Sequence, residues 1–158
     1  PNFDFINKLQ LYFMASLTDF KAIVRYEIAW GEMDALGHVN NAVYFRYFET
    51  ARMKYFTDAA LFKVLTANNP NIGPILAHTS CKFIQPLIYP DTINVGVRIM
   101  NLGHTSFTMQ HIIISDKLGL VATGEAVVVI YDYMLKEKVQ LTPSFIDALE
   151  TFEGRLLR

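Results

Sequence analysis

Residues 30–56 read WGEMDALGHVNNAVYFRYFETARMKYF, a strand end, a tight polar loop and then a helix. From Asn41 onward, Val43, Tyr44, Phe45, Tyr47, Phe48, Ala51, Met53, Tyr55 and Phe56 leave a thin polar line of Arg46, Glu49 and Lys54. A helix so apolar around its circumference predicts that other structure wraps it. Asn40 or Asn41 is the expected N-cap, because an Asn side-chain oxygen accepts from first-turn amides. Asp34 lies six positions before Asn40, and Gly37 between them permits a sharp reversal without a Cβ clash. The loop therefore returns a carboxylate to the mouth of a helix, beside N–H groups that have no intrahelical partner.

Outward from this stretch, the pattern changes from helical to strand-like. Residues 21–29 place Val24, Tyr26 and Ile28 on one face and Lys21, Arg25 and Glu27 on the other, which predicts a strand. The helix is expected to end between Ala59 and Phe62. Residues 68–74, NNPNIGP, form a loop dense in turn formers. Strand-like runs follow at 75–84, 91–100, 105–115 and 120–133, the last two joined by a hairpin turn at Asp116-Lys117-Leu118-Gly119. Gly96 and Gly124 fall inside strands and predict bulges or bends. A closing helix has Thr142 as N-cap, Pro143 at N1 and Gly154 beyond its end. One wrapped helix and about five strands joined by short turns predict an α+β fold, with a mostly antiparallel sheet curled around the helix.

The chain has 158 residues, 52% hydrophobic and 13% aromatic, which suits one globular unit with a sizeable core. A net charge of −1 gives no basic field for nucleic acid. No apolar run predicts a membrane span, and the single Cys81 fits a reducing, cytoplasmic setting. Residues 1–19 read as an N-terminal extension without the marks of a signal peptide, and residues 20–158 as a single domain. Met14-Ala-Ser resembles an internal start, which makes residues 1–13 a leader or a cloning remnant.

Several chemistries are excluded by missing motifs. There is no G-x-G-x-x-G, no P-loop, no G-x-S-x-G elbow and no H-E-x-x-H pair, so no cofactor and no metal is expected. Cys81 falls mid-strand and reads as a small core hydrophobe. His104 and His111 read as surface or hydrogen-bonded residues. Arg46, Glu49 and Arg52 have the spacing of an ion-pair ladder along the helix, with Glu49 equally able to face a cleft. Asp34 has two readings, a loop residue that satisfies nearby amides or a reactive carboxylate.

The string from Trp30 to Asn41, followed by Tyr44 and Phe48-Glu49-x-Ala51-Arg52, resembles the hot-dog-fold acyl-CoA thioesterases. Within them it is similar to the 4-hydroxybenzoyl-CoA thioesterase family, including acyl-CoA relatives associated with the Tol–Pal system. Phe83-Ile84-x-Pro86, Tyr89-Pro90-Asp91, Leu102-Gly103-x-x-Ser106-Phe107 and Ala122-x-Gly124 follow in the family's order, so the resemblance covers roughly residues 21–150. Glu32 departs from the family's usual Asp, and the N-terminal extension has no counterpart.

This resemblance implies that Asp34 is the catalytic carboxylate and that a backbone amide at or near Asn41 polarises the thioester carbonyl. His38 either assists or holds the loop. The substrate path implied by the resemblance includes Gly37, Val39, Tyr44 and Ser106, although Tyr44 fits a core as well as a pocket. Lys82, Arg98 and Lys117 are the candidate cations for the phosphates of CoA. Two activities follow as competing expectations: hydrolysis of acyl-CoA, or a non-catalytic hot-dog module that binds acyl-CoA. The expected assembly is a homodimer or homotetramer, because the family's substrate lies between paired subunits and an open apolar edge strand invites pairing.

Overall fold

A computed structural model describes residues 17–157 of the chain. Of the expected extension, residues 1–16 lie outside the described residues, and Leu17–Asp19 form a single 3-10 turn. The 21–29 run becomes strand β1, Ala22–Glu27. A 3-10 turn at Trp30–Glu32 leads through the polar loop into helix α1, Asn41–Asp58. Asn40 is its N-cap, its side chain accepting from the Ala42 amide at 2.9 Å.

A second, short helix α2, Leu61–Thr66, follows α1 and is absent from the sequence expectation. Ala60 adopts a left-handed conformation (φ 52°) and redirects the chain between the two helices. Leu61 is then buried, and Phe62 meets Phe56 edge-on with ring centroids 5.7 Å apart. Neither the local strain nor the burial that offsets it has a strong sequence signal.

Four long strands follow: β2 at Ile72–Phe83, β3 at Thr92–Leu102, β4 at Ser106–Ser115 and β5 at Gly119–Asp132. A two-residue strand β6, Glu137–Lys138, pairs with the end of β5. The sheet order is β1-β3-β4-β5-β2, and every pairing is antiparallel. Helix α3, Pro143–Glu153, has the expected Thr142 cap, its hydroxyl accepting from the Phe145 amide, and it closes at left-handed Gly154. The strand β2 begins earlier than expected and runs through Gly73 and Pro74. Proline is tolerated there because β2 is an edge strand, where a missing donor breaks no ladder on the open side.

The sheet packs one face on α1. Tyr44, Tyr47, Phe48, Ala51, Tyr55 and Phe56 form the buried stripe at three- and four-residue spacing. They meet Val95, Val97 and Ile99 of β3, Met109 and Ile113 of β4, and Ala122, Ala126 and Val128 of β5 in one core. Each large side chain fully buried there contributes roughly 1.5–3 kcal/mol. The opposite side of α1 is exposed at Arg46, Glu49, Thr50, Met53 and Lys54, so the helix is cradled rather than enclosed. The expected α+β arrangement, an antiparallel sheet curled around one long helix, is the one the chain adopts.

The far end of α1 is tied down through Glu153, which is buried. Its Oε1 accepts from the Tyr55 hydroxyl at 2.8 Å and from the Ile99 amide at 2.7 Å, so one carboxylate joins α1, α3 and β3. Gly96 and Gly124 do not mark bulges. The register shifts fall at Leu76/His78, Ile99/Asn101 and Ile113/Ile114. The two glycines instead admit aromatic rings, Phe20 over Gly96 and Phe48 over Gly124.

A methyl group at Gly124 would press on the Phe48 ring and come 2.6 Å from the Ser80 carbonyl oxygen, which is backbone and cannot swing away. Gly124→Ala is therefore expected to destabilise the fold by about 1–3 kcal/mol. Urea unfolding of the two proteins side by side checks this, and an unchanged midpoint would contradict the packing described.

Candidate active site

The loop before α1 is a closed hairpin. Met33 and Val39 form an antiparallel bridge, and the Asp34 amide donates to the His38 carbonyl at 2.7 Å. At its tip Gly37 takes φ 82°, a conformation that a Cβ would strain. The Val39 amide donates to the Leu87 carbonyl at 2.9 Å, which ties the hairpin to the segment after β2.

Asp34 is half-buried and uses its two oxygens differently. Oδ1 accepts from the Leu36 amide at 2.8 Å and the His38 amide at 3.4 Å. No donor among the described residues reaches Oδ2. The carboxylate thus shapes its own loop with one oxygen and keeps the other unspent.

The helix start is equally uneven. Asn40 accepts from the Ala42 amide through its side chain and from the Val43 amide through its carbonyl, each at 2.9 Å. The Asn41 amide donates to no acceptor among the described residues, and it lies at the positive end of the α1 dipole. Such an unpaired N–H is a donor for an anion or for a carbonyl that gains negative charge.

Beside this helix start lies a cleft of about 340 Å³ lined by His38, Val39, Asn41, Tyr44, Phe83, Ile84, Gln85 and Pro86. Asp34 is not among the lining residues but sits immediately behind His38 in the hairpin. Tyr44 forms part of the wall and of the core at once: it is buried, edge-on to Phe83 at 4.9 Å, and its oxygen accepts from the Leu87 amide at 3.3 Å. Burial raises its phenol pKa. The segment Phe83–Pro86, which no expectation placed in the site, is held by the Ile84 and Gln85 amides on the Val121 carbonyl and by Gln85 Nε2 on the Leu118 and Leu120 carbonyls. Its proline-bounded end was the available signal.

The other candidates lie elsewhere on the chain. Ser106 opens β4, opposite Val129 and at the far end of that strand from the hairpin at Asp116–Gly119. Lys82 lines a separate cavity of about 260 Å³ with Ser80, Gln110, Thr123, Gly124 and Glu125. Arg98 donates to Gln110 at 2.9 Å and stacks on the Phe20 ring at 4.8 Å. Lys117 donates to the Pro90 carbonyl. One chain therefore brings together Asp34, Gly37, His38, Val39, Asn41 and Tyr44, but not Ser106, Lys82 or Arg98.

Three side chains depart from their sequence reading or sharpen it. Arg52 leaves the expected ladder: it is 7% exposed, and the ion pair on α1 instead joins Lys54 to Asp58 at 2.9 Å. His111 is fully buried against Phe48, with ring centroids 4.8 Å apart, and its polar neighbour is the Gly124 backbone. Burial, helped by the Arg52 charge, pushes its pKa down to about 3, so the imidazole is neutral. Burial also raises the Cys81 thiol to about 11, which removes it as a nucleophile near neutral pH.

Comparison with known proteins gives the family and the fold. A family model described as the thioesterase-like superfamily matches residues 28–149, and the chain belongs to that superfamily. The chain is similar to a thioesterase of Thermus thermophilus solved with coenzyme A and Zn. Identity is 28% and the TM-score 0.73, over 87% of this chain and 98% of that one. A thioesterase-superfamily structure from Jannaschia sp. CCS1 shares the fold at a TM-score of 0.76 and 22% identity, over 95% of this chain and 92% of that one. A curated relative from Aquifex aeolicus (strain VF5) is 28% identical over 98 residues, 62% of this chain and 76% of that protein. The architecture is the hot-dog fold, and a function of thioesterase type is supported.

Proposed function

We propose that this protein hydrolyses an acyl-CoA thioester to the free acid and CoA, with Asp34 as the reacting carboxylate. The observation that carries the reading is a pair of unspent groups on one hydrogen-bonded hairpin and its helix: Asp34 Oδ2, across the hairpin from His38, and the Asn41 amide, on the cleft. A thioester carbonyl set in the cleft would direct its oxygen at the Asn41 N–H, where the helix dipole favours developing negative charge. Asp34 then attacks the acyl carbon, giving a mixed anhydride that water hydrolyses once the thiolate has left, or it takes a proton from the water that attacks. The C–S bond breaks and the electron pair leaves on sulfur. The departing thiol has a pKa of about 8.5, so it leaves as thiolate without a strong general acid. His38, on the cleft wall, assists or holds the loop, while Gly37, Val39 and Tyr44 shape the acyl and pantetheine path.

The motif D-x-x-G-H-V-N-N supports a kinship with the 4-hydroxybenzoyl-CoA thioesterases and their Tol–Pal-associated relatives, acting in the cytoplasm through residues 20–158. Among the described residues no helix is long and apolar enough to cross a membrane.

The same reading includes self-assembly through β2. This strand is an edge of the sheet and leaves Ile75, Leu76 and Phe83 at 39–48% exposure. An open strand edge with apolar side chains templates pairing with a second strand. Antiparallel pairing of two copies would bring the Ile75 end of one β2 to the Phe83 end of the other. Ser106 faces Val129, and Val129 faces Ile75, so this pairing carries Ser106 of one copy toward the cleft of the second. Lys82, next to Phe83, stands at the same seam, and with Arg98 and Lys117 it is a candidate for the CoA phosphates. Light scattering is expected to report at least a dimer. A fully active monomer at assay concentration would contradict this assembly.

Asp34→Asn keeps the shape and the loop hydrogen bonding through Oδ1 but removes the base. Its kcat is expected to fall by roughly a hundredfold or more, since positioned acid–base catalysis is commonly worth about 10²–10⁴. Melting temperature should change little, because loss of a surface-loop charge costs on the order of 0.5 kcal/mol or less. If Asp34 only shapes the loop, the pattern reverses, with lower stability and normal turnover per folded molecule. Both quantities measured on one preparation separate the two outcomes.

A further inference from the structure

Glu32 is two residues from Asp34 and accepts three hydrogen bonds. Oε1 takes the Tyr26 hydroxyl at 2.8 Å, while Oε2 takes the Tyr47 hydroxyl at 2.8 Å and the Ala29 amide at 2.9 Å. The donors come from β1, from the residue that precedes the 3-10 turn, and from α1. The two phenol rings lie 5.0 Å apart, so the carboxylate meets them as a pair. The hydrogen bond to Glu32 raises the Tyr26 phenol pKa, and burial followed by the same hydrogen bond raises that of Tyr47. Both phenols therefore stay protonated donors across the neutral range.

The main chain of Glu32 adds the decisive link. Its carbonyl accepts the Asn40 amide at 2.9 Å, so Glu32 and Asn40 close the base of the hairpin that carries Asp34. Above that base come the Met33–Val39 bridge and the Asp34-to-His38 hydrogen bond. The residue that leaves β1's end is thus bonded by side chain to α1 and by backbone to the N-cap of α1.

We infer that Glu32 is a positioning residue: its carboxylate, gripped by Tyr26, Tyr47 and the Ala29 amide, fixes the Asp34 loop against the first turn of α1. The inference rests on the proposed roles of Asp34 and the Asn41 amide, which must stand on opposite sides of one carbonyl. Shifts of about 1 Å in such a pair cost on the order of a hundredfold in rate. The Glu32 side chain reaches the point where phenols from strand and helix converge.

The test uses Glu32→Gln, Tyr47→Phe and the double variant in the full chain. Tyr47→Phe keeps the ring in the core and removes only the donor. Each single variant is expected to lower kcat for an acyl-CoA ester about tenfold to a hundredfold, with KM within about twofold. The double variant should lose little more than the worse single, because both act through one clamp. Hydrogen exchange at the Asn40 amide should quicken by about tenfold in each. Wild-type kcat in the single variants, or additive losses in the double, would overturn the inference. Should the wild-type chain release no thiol from acyl-CoA, the proposed function falls, and Asn40 exchange alone decides the clamp: faster exchange upholds it and unchanged exchange refutes it.

Discussion

The Phe48 ring lies on the bare backbone of Gly124, where no side chain of any size could stand between helix and sheet. That approach sets the depth at which α1 sits. With α1 at this depth, His111 is sealed behind the same ring and must be neutral, and Tyr44 reaches Phe83 at the sheet's edge. The helix axis is also fixed, and with it the place where the first turn emerges. The cleft exists because α1 ends its contact with the sheet just where β2 gives way to the Phe83–Pro86 segment.

A second constraint acts at the helix mouth. Four N–H groups there lack intrahelical partners. Asn40 satisfies two of them, Glu32 receives the Asn40 amide, and the Asn41 amide is left over. The hairpin from Glu32 to Asn40 also carries Asp34, whose Oδ2 meets no donor among the described residues, and Gly37 supplies a backbone conformation that other residues resist. The hairpin is closed by backbone hydrogen bonds, and β2 leaves an open edge, where the proposed second copy would pair.

Local chemistry in the sequence revealed most of this. Asn40, Thr142-Pro143 and Gly154 marked helix ends correctly, and Gly119 (φ 73°) marked the β4–β5 hairpin. The Asp34-to-Asn40 spacing located the hairpin, while its catalytic meaning came from family resemblance. What stayed hidden depends on distant partners. Arg52 read as part of an ion-pair ladder by helical spacing but is buried. The glycines at 96 and 124 do not mark bulges, and the rings that fill their space come from residues far away in sequence. Helix α2 is stabilised by Phe56–Phe62 and Leu61 burial, not by a cap, so it left no motif. The role of Glu32 was hidden because the two phenols that it holds come from β1 and α1.

Turnover is the central claim: an unspent carboxylate beside an unpaired helix amide should break a thioester bond, not merely hold it. Incubating the wild-type protein with acyl-CoAs of short, long and aromatic acyl groups, and following free thiol, tests this most directly. Catalytic release of thiol, with many turnovers per chain on at least one acyl class, is the predicted result. Saturable binding of the same CoA esters without thiol release from any of them would contradict it and leave an acyl-CoA-binding module instead.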